Sequence, residues 1–377
     1  MQARAFLMVS GLSPQIVTET LYAHYVKYSL DPSIPSQVHL ITTLEGARRA
    51  KLSLLEGAKW FHQLCDEYTI PNLVFPEENI RIITDGEGLP LNDIRSEKDN
   101  AAAANFITAY IQELTKSSDL ELHVSLAGGR KTMGYYIGYA LSLFGRPQDS
   151  LSHVLVSEGF ESNPHFYYPS RDTRVIYDRN ERPIDTSTAE VTLARIPFVL
   201  MRDELPEESL VNQVSFSEAV AQLNSQAQEP KLKIDLKKRL IYCNERPLDN
   251  FSSIEYQFYT WLVARHLNNE EPLYPLVDGE LVESWGQSFL QLMHYLSEYE
   301  DLQERTRESY SRGLDKNLVS NKLSSIRKKM IEKLGRKLAS RFSFNMSNHP
   351  SQGKFYLLDL LEENIEIVGG DLRYQGQ

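Results

Sequence analysis

The feature that most constrains the fold is a buried strand that runs through a glycine pair directly into a helix. Residues 120–126 (LELHVSL) predict a strand, glycines occupy 128–129, and residues 131–145 carry apolar side chains at helical spacing. A glycine pair lets the backbone approach a ligand closely, and the amide groups that open a helix favour anions. Arg130 and Lys131 add positive charge there. The stretch predicts either an anion site or a plain turn with two solvated basic residues.

Similar strand–helix alternation recurs through the first half of the chain and predicts a doubly wound, mostly parallel α/β sheet of the Rossmann type. Strands are expected at 5–9, 38–43, 80–84, 120–126, 154–156 and 189–200, and helices at 14–28, 45–68, 93–116 and 131–145. Parallel strands end at one edge of a sheet, where ligands bind. The candidate ligand-binding residues at that edge are Ser10, Gly11, Leu12, Ser13, Thr42, Thr43, Asp85, Gly128, Gly129, Arg130, Lys131, Thr132 and Met133.

Two features near this edge have two interpretations each. Ser13 precedes Pro14, and Ser followed by Pro is also typical of an N-cap and first helical turn. Taken alone, this motif favours a plain cap. The aromatic residues at 166–168 lie in a loop spanning 158–169, and they either close over a ligand or pack in the core. The core interpretation is slightly favoured.

Composition and missing motifs exclude several classes of protein. The chain has no G-x-G-x-x-G after its first strand and no G-x-x-x-x-G-K-[ST], which argues against a dinucleotide cofactor and a Walker-type nucleotidase. The histidines, Cys65 and Cys243 lie in no metal-ligand spacing, so neither a metal, a cofactor nor a disulfide is expected. We predict a cytoplasmic protein without a membrane span. Because the net charge is −11, any nucleic-acid surface must be local.

The second half of the chain has a different pattern. Residues 203–230 are acidic and then rich in Gln and Ser, which predicts a linker with a short helix between domains at 1–202 and 231–377. Beyond the linker, the pattern predicts a hairpin at 232–243 and helices at 252–266, 285–302 and 317–334. A second hairpin, with a polar tip at 347–353, is expected at 341–358.

The helix predicted at 317–334 lies in the most basic part of the chain. Residues 305–341 contain 12 Lys or Arg and 3 Asp or Glu. One helix face is apolar and the other is polar and basic, and a hairpin follows. This arrangement suits insertion into the major groove of double-stranded DNA, although a solvated basic face is the alternative. The candidate DNA-contacting residues are Lys316, Asn317, Ser320, Asn321, Lys322, Ser325, Lys328 and Lys329.

Two family resemblances can be named on these motifs. Residues 1 to about 200 resemble a CRISPR-associated Rossmann-fold (CARF) domain, closest to the stand-alone ring nucleases of type III CRISPR systems. The resemblance is carried by VSGLSPQIVTETLYA near the N-terminus and by LAGGRKTMGYYIGYALSLFGR at 126–146. Residues 231–360 resemble an OmpR-type winged helix-turn-helix domain in RLIYCNERPLDNFSSIEYQFYTWL and NLVSNKLSSIRKKM, although GKFYLLDL departs from the usual wing ending.

The first resemblance implies a homodimer that holds a cyclic oligoadenylate, with cyclic tetra-adenylate as the expected ring. Ring nucleases of this family need no metal: a substrate 2′-OH attacks the adjacent phosphate and leaves linear di-adenylates with a 2′,3′-cyclic phosphate. The family's catalytic lysine falls on Lys131 and its catalytic serine on Ser13. The winged-helix resemblance favours a regulator that senses the ring without cutting it. A CARF-gated effector nuclease ranks lower, because no R-x-x-x-x-H or D…E-x-K pattern is evident in the C-terminal part.

Overall fold

The computed structural model describes residues 3–225, 228–298, 300–349 and 353–373. The chain divides into two compact units. One contains the chain up to residue 202 together with 212–220, and the other contains 203–211 and the chain from 221 onwards. Residues 203–211 thus belong to the second unit, 212–220 to the first, and those from 221 onwards to the second again. This differs from the continuous linker expected at 203–230. Residues 226 and 227 of that stretch lie outside the described residues.

The first unit is organised around a mostly parallel sheet. Its strands are β1 (Ala3–Ser10), β2 (Ser36–Thr42), β3 (Leu73–Val74), β4 (Ile80–Ile82), β5 (Leu120–Ser125) and β6 (Ser150–Val156), a separate hairpin of β7 (Val175–Tyr177) and β8 (Pro183–Asp185), and β9 (Val191–Arg195). The spatial order of the main sheet is β3-β2-β1-β5-β6-β9, with β4 also paired to β2. Within the described residues, β9 is the only antiparallel strand of this sheet. The predicted α/β class with a parallel-rich sheet is therefore confirmed.

Helices cover the sheet between the strands. They are α1 (Gln15–Tyr22), continued as a π-helix (Ala23–Lys27), α2 (Leu44–Ala50), continued as a π-helix (Lys51–Glu56), α3 (Trp60–Tyr68), α4 (Glu97–Leu114) and α5 (Lys131–Phe144). The single helix expected at 45–68 is wrong, because the chain breaks before α3, where Lys59 has a left-handed φ of 57°. Helix α4 starts at Glu97 rather than 93, because Ser96 and Asp99 form a capping box there.

The core of the first unit includes the aromatic loop at 158–169. Phe166 and Tyr168 are fully buried, and the Tyr168 hydroxyl donates to a Glu67 carboxylate oxygen at 2.9 Å. Tyr167 stacks on Trp60 with 4.8 Å between ring centroids. The core interpretation of these aromatic residues is confirmed.

The second unit combines a small sheet with a helical layer and a hairpin. It begins with the short helix α6 (Glu207–Val211), whereas the next helix, α7 (Phe216–Asn224), starts in the first unit and ends in the second. The elements that follow are β10 (Leu232–Asp235), β11 (Leu240–Cys243), β12 (Arg246–Pro247), α8 (Ser253–Leu267), β13 (Leu281–Val282), α9 (Glu283–Tyr295), α10 (Glu304–Arg312), β14 (Leu314–Asp315), α11 (Lys316–Leu334), α12 (Arg336–Phe342), β15 (Phe344–His349), β16 (Gly353–Leu358) and β17 (Ile365–Val368). The sheet order is β12-β11-β10-β17, and β15 pairs only with β16 among the described strands.

Most elements predicted in this unit are present, with two differences. The hairpin at 232–243 and the helices at 252–266 and 317–334 are confirmed by β10–β11, α8 and α11. The helix expected at 285–302 ends at Tyr295, and α10 follows as a separate helix. Of the predicted tip at 347–353, residues 350–352 lie outside the described residues. No helix within the described ranges has the length and apolar character that a membrane crossing requires.

Candidate functional site

The glycine pair after β5 is required by the backbone itself. Gly128 and Gly129 have φ values of 87° and 72°, which favour glycine strongly. A Cβ on Gly128 would lie 2.8 Å from the carbonyl oxygen of Val9 in β1. A Cβ on Gly11 would lie 3.6 Å from the Cα of Gly129. The glycine pair therefore lets the ends of β1 and β5 meet at one edge of the sheet.

The two cations that follow the glycine pair have different surroundings. The Arg130 guanidinium donates to both carboxylate oxygens of Asp93, at 2.5 and 3.3 Å. Hydrogen bonds from Arg130, and next from Arg95, lower the pKa of Asp93 to about 2. Lys131 opens α5, is exposed, and has neither an ion pair nor a side-chain hydrogen bond within the part of the chain that the structure describes. The structure thus brings both predicted cations to the edge and leaves Lys131 available to an anion.

Three hydroxyls that were predicted to bind a ligand form hydrogen bonds to nearby backbone groups. The Ser10 hydroxyl donates to the Ser13 carbonyl at 2.9 Å, and the Thr42 hydroxyl donates to the Gly11 carbonyl at 3.4 Å. The Thr43 hydroxyl accepts from the Gly46 amide and caps α2. All three hydroxyl residues are at most 4% exposed. In this conformation the hydroxyls of Ser10, Thr42 and Thr43 already have partners within the chain, and their part in ligand binding stays a prediction.

Ser13 is placed differently from those three residues. It is exposed, as is its neighbour Leu12. The N-cap of α1 is Pro14, which has helical φ and ψ, and no side chain caps this helix. The prediction of Ser13 as a plain N-cap is therefore wrong, and Ser13 lines a cavity instead.

Three further candidates lie at the edge in different environments. Asp85 follows β4, but its carboxylate accepts from the Glu87 and Leu89 amides, at 2.9 and 3.0 Å, and holds a turn. The Asp85 carboxylate thus has backbone partners of its own, and its part in ligand binding stays a prediction. Met133 is fully buried, and Thr132 is exposed on the first turn of α5.

Two cavities flank the Gly11–Leu12 loop. One, of about 660 Å³, is lined by residues that include Ser13, Glu19, Gly128, His153 and Tyr167. We call it the α1 cavity. The other, of about 880 Å³, is lined by residues that include Gly11, Thr43, Asp93, Gly129, Arg130 and Met133. These volumes are typical of pockets that hold small molecules.

Glu19 is a site residue that the sequence reasoning missed. It lies on α1, is 7% exposed and lines the α1 cavity. Burial, and next the negative charge of Glu161, raise the pKa of Glu19 to about 8. The available signal was its spacing, because Glu19 lies three residues after Ile16 and four before Ala23, both of which are buried.

In the second unit, part of the predicted DNA-contacting face points inward. Glu255 of α8 accepts hydrogen bonds from the Ser325 hydroxyl and the Lys329 ammonium, each at 2.6 Å. Ser325 and Lys329 therefore lie against α8, which corrects their predicted place on the open face. Lys316 forms an exposed ion pair with Asp278 at 3.0 Å.

The remaining predicted residues of α11 stay on its open side. Asn317, Asn321 and Lys328 are exposed, and Ser320 and Lys322 are partly exposed. Arg327, which the sequence also places on the polar and basic side of this helix, is exposed, and so is Ser324. The open side of α11 therefore carries the basic residues Arg327 and Lys328.

Comparisons with known proteins identify a family for this chain. Among solved structures, the chain is similar to Can2 from Sulfobacillus thermosulfidooxidans in complex with cyclic tetra-adenylate, over 94% of this chain and 77% of that one. The identity is 9% and the TM-score 0.24, values too low to support an argument about fold or function. No curated protein sequence matches the chain. The model of the CRISPR-associated protein NE0113 family matches residues 13–229, more than half of the chain. The protein therefore belongs to the CRISPR-associated NE0113 family.

Proposed function

We propose that the first unit binds a cyclic oligoadenylate, with cyclic tetra-adenylate as the expected ring, and cleaves it to linear di-adenylates with 2′,3′-cyclic phosphate ends. Such cleavage would switch off type III CRISPR signalling. The observation that carries the proposal is the unpaired Lys131 ammonium, among the described residues, at the start of a 14-residue helix. Membership of a CRISPR-associated family and the CARF-like motifs around Ser13 and Lys131 support it.

In the proposed chemistry, the protein orients the reacting groups of the substrate and stabilises the negative charge that develops. The ribose 2′-oxygen forms a bond to the adjacent phosphorus and passes its proton to water. The bond from phosphorus to the 5′-oxygen breaks, and that oxygen takes a proton from water to become a 5′-hydroxyl. Lys131 would stabilise the negative charge on the pentavalent phosphorane or on the leaving oxygen. Ser13 would orient the 2′-OH or the scissile phosphate. A homodimer would present two such sites to a ring of matching two-fold symmetry.

Ring cleavage is tested with labelled cyclic tetra-adenylate in EDTA. We expect linear di-adenylate to form, and Lys131→Ala to slow its formation by on the order of 100-fold or more, because a charge-stabilising group is lost. Lys116→Ala is the matched control, since Lys116 pairs with Glu113 at the far end of α4. Its rate should equal that of the wild type.

Two results would contradict the enzyme proposal. One is a ring that survives for many hours at protein excess. The other is a Lys131→Ala protein that cuts as fast as the wild type while circular dichroism shows both proteins folded.

A ligand-sensing transcription regulator is the alternative function. The observation that favours it is the open basic side of α11, with Arg327 and Lys328 exposed, followed in the chain by the β15–β16 hairpin. This arrangement supports a winged-helix interpretation of the second unit, in which α11 enters the major groove and surrounding groups contact phosphates. Sensing and cleavage are compatible, so both could belong to one protein.

DNA binding is tested by fluorescence anisotropy with double-stranded DNA from upstream of the protein's own operon, with and without the ring. Arg327→Ala/Lys328→Ala should weaken binding and reduce the slope of log affinity against log salt by about 2, because two phosphate contacts are lost. Lys237→Ala/Lys238→Ala removes the same charge from the β10–β11 turn and is the matched control. Equal losses in both double variants would contradict the assignment of α11 as the recognition helix.

A further inference from the structure

The α1 cavity contains a buried acid that has no partner. The Glu19 side chain is 93% buried, yet none of the described residues donates a hydrogen bond to its carboxyl or pairs with it. A carboxylate held in this way costs free energy, and its protonated form costs much less. Glu19 is therefore mostly neutral at pH 7, since its pKa is raised to about 8.

The rest of the cavity wall suits a flat, partly apolar group. Leu52, Pro164 and Tyr167 contribute apolar surface. Asn163 also lines the cavity, but its amide is already bonded to the Tyr177 carbonyl at 2.8 Å and to the His165 amide at 2.9 Å.

Charged and titratable groups face the same cavity from other elements. They are Arg49 of α2, His153 of β6, and Glu161 and Tyr167 of the 158–169 loop. Arg49 is already paired with Glu45 at 3.4 Å. Glu161 is exposed and raises the pKa of Glu19, so it favours the neutral acid.

A neutral carboxyl has one hydrogen-bond donor and one acceptor side by side. Adenine presents the complementary pair, because its N6 amine donates while the neighbouring N1 or N7 accepts. The Watson–Crick edge of guanine presents two adjacent donors, N1–H and the N2 amine, which match an ionised carboxylate instead. The protonation state of a buried acid can therefore select one purine over the other.

We infer that Glu19, as a neutral acid in the α1 cavity, recognises an adenine base of the bound ring. This inference rests on the proposed function and deepens it, since it assigns the base specificity to one side chain. Glu19 acts here as a specificity-determining residue and takes no part in the bond cleavage. As the pH rises through about 8, Glu19 ionises, so affinity for adenine should fall and affinity for guanine should rise.

The test measures the affinity of the full-length protein for 2′-deoxy rings, which lack the attacking hydroxyl and so cannot be cut by the proposed chemistry. Cyclic tetra-adenylate and cyclic tetra-guanylate analogues are titrated by calorimetry between pH 6.5 and 9. At pH 7 the wild type should prefer the adenine ring by on the order of tenfold or more. This preference should shrink as the pH rises.

Three variants separate recognition from structure. Glu19→Gln keeps a donor and an acceptor, so it should bind the adenine ring within about threefold of the wild type, with no dependence on pH. Glu19→Ala should lose on the order of tenfold or more in affinity for the adenine ring. Glu113→Gln, on the far end of α4, is the matched control and should behave as the wild type. Thermal unfolding of each variant checks that it is folded.

The inference fails if the wild type binds the adenine ring with the same affinity across the pH range, or if Glu19→Ala binds it as tightly as the wild type. It also fails if Glu19→Gln keeps the pH dependence. If the wild type binds neither ring, the proposed function fails with it. If rings bind with the expected pH pattern but native cyclic tetra-adenylate is never cut, only the nuclease proposal fails.

Discussion

Neighbouring residues in the Gly-Gly-Arg-Lys turn perform different tasks. The glycine pair lets two strand ends meet, Arg130 pairs with Asp93, and Lys131 stays available. Sequence reasoning could place all four residues at one sheet edge, because parallel strands end together. It could not assign the tasks, because they depend on Asp93, which is 37 residues away in the chain.

Gly128 offers a direct test of this turn. Gly128→Ala should lower the free energy of unfolding by about 2 kcal/mol, because the left-handed backbone costs 1 to 2 kcal/mol for alanine and the new Cβ crowds the Val9 carbonyl. Urea unfolding measures the change. Gly86→Ala is the matched control, since a Cβ there meets nothing within 4 Å, and it should change stability by less than about 0.5 kcal/mol. Equal effects in both variants would contradict the crowding argument.

The sequence could not show which of the hydroxyl residues at this edge are exposed. Ser10, Ser13 and Thr42 all follow or end strands, so the strand pattern treats them alike. The structure separates them because Ser10 and Thr42 are 1% and 0% exposed and donate to the loop backbone, whereas Ser13 is exposed. Glu19 was missed for the opposite reason, because a charged residue in a helix is usually exposed.

At the scale of elements, α11 is predicted to within one residue at its start, but its faces are not. The apolar seam predicted the buried Ile326, Met330 and Leu334. The polar side was read as one open face, although α8 packs against part of it through Glu255. Periodicity shows which side of a helix is buried, but it does not show where a neighbouring acid makes a polar side chain turn inward.

The Glu255 contact gives the second unit an acid-sensitive link. Burial alone would raise the pKa of Glu255, but hydrogen bonds from Lys329, Ser252 and Ser325 outweigh burial and lower it to about 2. Because this value lies below the ordinary 4.5, the stabilisation is complete above pH 4.5 and is lost as the pH falls towards 2.

Glu255→Gln should therefore destabilise the second unit by about 2 kcal/mol at neutral pH, since Lys329 loses its carboxylate partner. The difference from the wild type should vanish as the pH falls towards 2. Urea unfolding followed by tryptophan fluorescence measures both effects. Glu366→Gln breaks the exposed pair with Lys233 and should cost less than about 0.5 kcal/mol. A difference from the wild type that stays constant with pH would contradict the argument.

At the scale of the whole molecule, composition and pattern predicted two folded parts but not the boundary between them. Residues 212–220 belong to the first unit, although their Gln- and Ser-rich surroundings look like a linker. Phe216 explains this, because it packs edge-on against Tyr135, Tyr136 and Tyr139 of α5. A single aromatic residue in a polar stretch is a weak signal, so the sequence alone could not place the boundary.

A fragment of residues 1–224 should thus be more stable than a fragment of residues 1–202, by about 1 to 2 kcal/mol, because only the longer one packs Phe216 against α5. Thermal and urea unfolding of both fragments measure the difference. Phe216→Ala in the longer fragment should remove most of it, and Ser217→Ala, at an exposed position, is the matched control. If the two fragments are equally stable, the packing of Phe216 does not hold this segment.

The Arg130–Asp93 pair also affects how a ring would respond to ionic strength. A tetra-adenylate ring carries four negative charges, yet each glycine-pair turn offers it one unpaired cation, Lys131, since Arg130 is already paired with Asp93. A dimer would then displace about two counterions rather than four on binding. Physiological salt would weaken such a complex only modestly, so the ring could be captured at the ionic strength of the cell without a strongly basic surface that would also attract other nucleic acids.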